Sequence, residues 1–342
     1  MVWRKTYKTK TDMKKVAFFP VILLLVLSGC KMDSETLKPK ISGSTGEVLV
    51  VAPDYLWNSP AGDTLEGLLS QDMPYLPQPE PMFNIIHVTP ANFDKMFQTH
   101  RNILFMKVDK SKYKKARIVV EHDRWATPQL ILELQAPDIP SFVKLVGETG
   151  DSLVTRINNV ERDRIIGYYK KYLQGTIYKK LKEKYHITLD IPKGYTMDVD
   201  SSGFVWISSE TPTTSQGILI YFYPYTSEDI FTPDKLIKIR NDILRKHVHG
   251  DIEGTYMTTE TIVPPAFRAY KRNGQYFAEL RGLWKLENGF MGGPFVSIST
   301  VDKYRGRVVT VEGYVYAPGD KKRELLRQVE SILYTLKIYP KQ

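Results

Sequence analysis

A single cysteine, Cys30, is the feature that most constrains how this chain can fold. One thiol cannot form an intrachain disulfide, nor can it supply a thiolate-rich metal site. The body is therefore expected to be held by its apolar core alone. At 342 residues the chain is long enough for one or two domains with a sizeable core. The position of the cysteine is equally informative. Met13-Lys14-Lys15 is basic, Val16 to Leu27 is apolar and uncharged, and Ser28-Gly29 puts two small residues directly before Cys30. That is the layout of a cleavable export leader, with Met13 the expected start. The apolar run would reach about 18 Å as a helix, against a hydrocarbon core of about 30 Å, too short to span a membrane.

Leu27-Ser28-Gly29-Cys30 resembles a bacterial lipobox. The resemblance implies that the Cys30 sulfur takes a diacylglyceryl group, that cleavage follows Gly29, and that the new amine is acylated. Several acyl chains, at about 0.8 kcal/mol per buried methylene, make such anchoring nearly irreversible. Cys30 is thus the expected lipid attachment site, and the membrane the expected partner. The expected location is the outer membrane, facing the periplasm. Asp33 and Glu35 loosely resemble a surface-export tag, so the cell surface is the alternative.

The formal charge of +10 has to be divided at the cleavage point. The leader carries six basic residues and one acidic, which leaves 42 basic and 37 acidic in the mature chain. An excess of that size is ordinary and gives no reason to expect nucleic acid. Arg101 to Arg117 and the 162–184 segment are locally basic. They read as solvated faces, with anionic headgroups the lesser alternative.

Four segments follow from the pattern: a signal peptide over 1–29, a flexible tether over 30–45, a domain over 46–186 and another over 187–342. The tether has an r.m.s. reach of about 20 Å. In the first domain, strands are expected at 47–51, 83–88 and 103–108, with an antiparallel pair at 117–121 and 129–134. Helices are expected after Gly62, capped by Asp63 or Thr64, and over 92–98. The four prolines within 74–81 demand an extended loop. A long helical segment runs from Asp138 to about Tyr185, interrupted at Gly147-Glu148-Thr149-Gly150-Asp151-Ser152. Its stripe is Ile166, Tyr169, Leu173, Ile177, Leu181 and Tyr185. In the second domain, strands alternate with a helix from Pro233 to about His247 and a closing helix over 321–333. Gly292-Gly293-Pro294 reads as a turn with positive φ. The fold class is α+β: an N-terminal α/β-type domain plus a C-terminal antiparallel sheet covered by helices.

Arg281-Gly282-Leu283-Trp284, Gly292 to Ser297 and Val311 to Pro318 stand out, as do Leu56-Trp57 and Gly62-Asp63-Thr64. Together with the lipobox they resemble an uncharacterised family of Bacteroidota lipoproteins, which implies no known activity. The second half more loosely resembles PsbP/Mog1-like sandwich domains, on Ile191-Pro192-Lys193-Gly194-Tyr195 and the closing helix. That likeness concerns fold alone.

No nucleophile elbow, phosphate loop, dinucleotide fingerprint or zinc-protease motif occurs, and no cofactor or metal is expected. His247, His249, Asp251 and Glu253 alternate, but at a helix end they do not share a face. Glu121-His122-Asp123 reads as a solvated turn. Aromatic platforms are the remaining candidates, so Trp57, Trp125, Trp206 and Trp284 are the candidate ligand- or partner-binding residues. The reading is a non-catalytic, lipid-anchored envelope module for binding or assembly, with an envelope protein or a glycan as partner. One alternative is a carbohydrate-active or other hydrolase whose carboxylates converge only in the fold. Another is a periplasmic small-ligand binder with an apolar pocket in the second half.

Overall fold

A computed structural model describes residues 38–340. Cys30, the leader and the tether as far as residue 37 lie outside the described residues. Strands β1 (Glu47–Val51), β2 (Asn84–Val88), β3 (Asn102–Val108), β4 (Arg117–His122) and β5 (Leu130–Ala136) form one sheet, ordered β2-β1-β3-β5-β4. Every pairing is parallel except β4 with β5, the antiparallel pair expected from the sequence. The interior strands are enclosed on both faces, which is why β5 reads Leu-Ile-Leu-Glu-Leu without alternation.

Helices α1 (Asp54–Trp57) and α2 (Pro60–Leu69) cross from β1 to β2. The cap of α2 is Ser59, whose hydroxyl accepts from Ala61 N at 3.2 Å, not Asp63 or Thr64. Pro60 explains the earlier start, since its missing N–H costs nothing in the first turn. Helix α3 is only Lys95–Gln98, capped by Asp94.

Helix α4 (Ile139–Lys171) runs unbroken through Gly147 and Gly150, in place of the expected interruption. A Cβ on Gly150 would lie 2.8 Å from Leu68 Cδ1, so this glycine lets α4 lie close on α2. Tertiary contact there offsets a helix penalty of about 1 kcal/mol. The real break comes at 172–174, followed by α5 (Gly175–Lys180) and a wide turn ended by His186 at φ +58°. Ile177, Leu181 and Tyr185 stay buried across the break.

After β6 (Ile187–Thr188), the second sheet takes β7 (Thr196–Ser201), β8 (Phe204–Glu210), β9 (Ser215–Pro224), β10 (Tyr256–Thr259), β11 (Ala266–Arg272), β12 (Gln275–Glu287), β13 (Gly292–Asp302) and β14 (Arg307–Tyr316). It is antiparallel throughout, ordered β10-β12-β13-β14-β9-β8-β7, with β11 also on β12. β15 (Lys337–Ile338) pairs with β6. Helices α6 (Pro233–His247) and α7 (Arg323–Leu333) complete an α+β fold. β7 and β10 are short or polar edge strands and leave no apolar run in the sequence. Gly292 and Gly293 lie within β13 and neither has positive φ, so the expected turn is absent there.

The two faces of the second sheet belong to different cores. Val309, Val311 and Val315 pack with Val329, Ile332 and Leu333 of α7. That cluster continues to Val48, Leu104 and Leu132 of the first sheet, so the two halves share a core. Tyr314 and Phe295 face the other way, towards Leu236 and Leu244 of α6. Glu312 is on this second face, fully buried, with its carboxylate 2.9 and 2.7 Å from Arg240 Nε and Nη2. Arg240 also donates to Thr259 Oγ1 at 2.8 Å and lies 3.8 Å over the Phe295 ring.

Arg240→Met should destabilise the protein by about 3–5 kcal/mol, because it leaves a buried carboxylate unpaired. The double variant Arg240→Met, Glu312→Leu should be more stable than either single variant in urea unfolding. Additive losses would show that the pair is not the cause.

Candidate functional site

Two of the four candidate tryptophans meet in one pocket of the second half. It has a volume of about 580 Å³ and is lined by Trp206, Trp284, Tyr314 and Tyr316, with Met257, Leu286, Met291 and the 210–215 turn around them. Cross-strand glycines make room for the rings that line it. Tyr314 stands opposite Gly217, where a Cβ would fall 2.0 Å from the tyrosine ring. Trp284 stands opposite Gly293, where a Cβ would fall 2.0 Å from Val315 O and 3.1 Å from the indole nitrogen. Glycine in a strand interior often marks such a close approach.

The rings interlock edge to face. Trp284 and Tyr314 have centroids 5.6 Å apart at 76°, and Trp206 and Tyr314 6.5 Å apart at 63°. The Trp206 indole donates to the Tyr314 hydroxyl at 3.0 Å, and the Trp284 indole donates to Val315 O at 3.1 Å. Burial pushes the Tyr314 hydroxyl well above its ordinary pKa, so it stays protonated. At the rim, Ser215 Oγ donates to Glu210 at 2.6 Å, and the Thr211 and Thr214 hydroxyls are 2.8 Å apart. Trp284 is 2% exposed and offers no free face, whereas Trp206 and Tyr316 are half-buried. Trp284 is therefore a wall of the pocket, not a platform at the surface.

The other two tryptophans are elsewhere. Trp57 stacks on His87 at 4.8 Å, and Trp125 packs against Phe93 at 5.5 Å with Arg124 over its ring. His247 stacks on Phe204, and His249 bonds Lys246 O. Among the described residues, no three His, Cys, Asp or Glu side chains converge as a metal would require. Glu121 pairs with Arg124, and Asp123 accepts from Gln129 N at 2.7 Å, so this turn is structural. The sequence pattern alone does not bring Met257, Met291 or the 210–215 turn to the pocket. Tyr314 and Tyr316, two apart on one strand, do share a face in the sequence.

Part of each basic stretch is spent on internal pairs. Arg101 and Arg164 close on Glu161 at 2.6 and 2.8 Å, and Lys180 and Lys184 on Asp200 at 2.6 and 2.8 Å. A second cavity of about 360 Å³ lies between α4, α7 and β11–β12. In it, Arg162 and Arg281 each lie 2.9 Å from Glu330, and Arg268 lies 2.8 Å from Glu279. Burial alone would raise the Glu330 carboxyl, but Arg281 and Arg162 outweigh it and hold its pKa at about 2. A carboxylate held so low is a poor proton donor or acceptor at neutral pH.

Residues 174–335 match the model of a domain of unknown function (DUF4837), and residues 42–170 match a second (DUF8532). Both halves match domains of unknown function. The two matches meet at the break between α4 and α5, and the aromatic pocket lies wholly within the DUF4837 match. No curated protein matches the chain. Among solved structures, LpqN, "involved in cell envelope biogenesis of Mycobacterium tuberculosis", is 15% identical with a TM-score of 0.28, over 45% of this chain and 83% of that one. The human StarD13 (DLC2) lipid transfer and protein localization domain is 9% identical with a TM-score of 0.22, over 47% and 94%. At these TM-scores neither likeness defines a shared fold.

Glu330 also makes acid sensitivity measurable. Its folded pKa of about 2 lies below the ordinary 4.5, so its contribution to stability is complete above about pH 5. That contribution is lost as pH falls towards 2. Glu330→Gln should flatten this part of the stability–pH curve, as read from urea midpoints at successive pH values. An unchanged slope would place the acid sensitivity elsewhere.

Proposed function

We propose that this protein is a lipid-anchored component of the cell envelope whose second half binds a ligand without transforming it. The aromatic pocket carries the binding reading: both indole N–H groups and the Tyr314 hydroxyl in it are already engaged. Such a cavity gains by enclosing a ligand and presents no activated nucleophile. The hydrolase alternative needs two carboxylates free to exchange protons. Glu279 and Glu330 are instead ion-paired with arginines, and the two carboxylates lining the aromatic pocket, Glu210 and Asp251, are at exposed positions with no buried site to raise either as an acid.

The anchor rests on the leader and on Cys30. Among the described residues no helix is long and apolar enough to cross a membrane. The proposed setting is the outer membrane of a Bacteroidota envelope, with the body facing the periplasm, on the strength of the sequence segments quoted above.

Cys30→Ser should abolish palmitate labelling and move the protein from the membrane to the soluble fraction. Retention on membranes without label would overturn the anchor. For the pocket, native purification followed by solvent extraction and mass spectrometry should yield a ligand at a fixed ratio, which Trp206→Ala loses. Turnover on a panel of envelope substrates would overturn the non-catalytic reading.

A further inference from the structure

Most polar groups beside the aromatic rings are bonded within the protein: Trp206 to Tyr314, Trp284 to Val315, Ser215 to Glu210, Thr211 to Thr214 and His249 to Lys246 O, while the Asp251 carboxylate is exposed to solvent. A sugar held against tryptophan also needs donors and acceptors in the wall, and a wall whose polar atoms are spent offers few. Among the buried lining residues, what remains for an occupant is mainly apolar surface, with the carboxylates of Glu210 and Asp251 at exposed positions. Of the apolar lining residues, Trp206, Tyr316 and Met291 are half-buried and Met257 is 2% exposed. Methionine adapts its shape to a flexible chain.

A second observation comes from the turns at the edge of the pocket. Phe290 directly precedes the lining residue Met291 and is 105% exposed. Ile252 directly follows the lining residue Asp251 and is 64% exposed. Single exposed apolar side chains are commonplace. Two on separate turns beside one apolar pocket point to contact with an apolar phase. Resting on the ligand-binding reading above, we propose that the pocket holds the hydrocarbon chain of a membrane amphiphile, and that Phe290 and Ile252 meet the lipid surface that supplies it.

The test titrates dansyl-undecanoate into the full chain carrying Cys30→Ser, with energy transfer from tryptophan as the signal. Transfer should saturate at about one probe per chain. Palmitate should compete and the N-acetylglucosamine trimer should not. Met291→Arg should weaken the probe about tenfold or more, since the hydrocarbon would then face a charge. The Phe290→Ser, Ile252→Ser variant should keep its affinity for the soluble probe but lose co-sedimentation with phosphatidylglycerol vesicles. Both substitutions are at exposed positions, so the fold tolerates them.

Saturable binding of the sugar without the probe would overturn the hydrocarbon assignment and leave the ligand-binding reading standing. Binding of neither, with no co-purified ligand, would overturn both. Undiminished vesicle association of the Phe290→Ser, Ile252→Ser variant would overturn the contact with the lipid surface.

Discussion

Strand β14 has no solvent side, and much of the second half follows from that. Its odd-numbered valines must meet α7, and its even-numbered residues must meet α6. Glu312 is among the latter, and a buried carboxylate is tolerable only with a partner in place. Arg240 supplies that partner and so fixes α6 against the sheet. With α6 set, the segment after it, from Val248 to Asp251, arrives as one wall of the aromatic pocket. On the same face of the sheet, Trp284 of β12 and Tyr314 of β14 have their places beside Gly293 and Gly217, where any side chain would collide with backbone or ring.

The junction of the two halves uses charge as well as apolar contact. Glu80, at the end of the proline-rich loop, accepts from the backbone N–H groups of Lys322 and Arg323 at 2.6 and 3.2 Å. It thereby caps the start of α7 from the other half, where a negative charge is favoured. Arg327 reaches back to Met82 O at 2.6 Å, and Arg162 of α4 reaches Glu330 of α7. Such pairs contribute modestly to stability because desolvation offsets their attraction. Their directional demands suit them to setting how the two halves meet. In a chain with one cysteine, at position 30, no disulfide can take that role.

The periodic elements are legible in the residue pattern alone. Helix α6 ends where its pattern ends, and the first three strands lie within a residue of their expected limits. Patterns fail where a local preference is overridden by a distant contact. Gly150 reads as a helix breaker until Leu68 is placed against it, and Gly293 reads as a turn until Trp284 is placed beside it. The α2 cap is ambiguous along the chain because Asp63 and Thr64 resemble a cap as well as Ser59 does, and local chemistry alone does not rank them.

By itself the sequence determined the α+β class, most element limits and the absence of an intrachain disulfide. Those properties depend on composition and on neighbours along the chain. Only the tertiary structure decided that Trp206 and Trp284 share a pocket while Trp57 and Trp125 do not, and that Arg101, Arg162 and Arg164 are spent on buried glutamates. Residues 78 apart along the chain become neighbours only through the pairing of β8, β9, β14, β13 and β12. No periodicity along one segment encodes which strand will lie beside it.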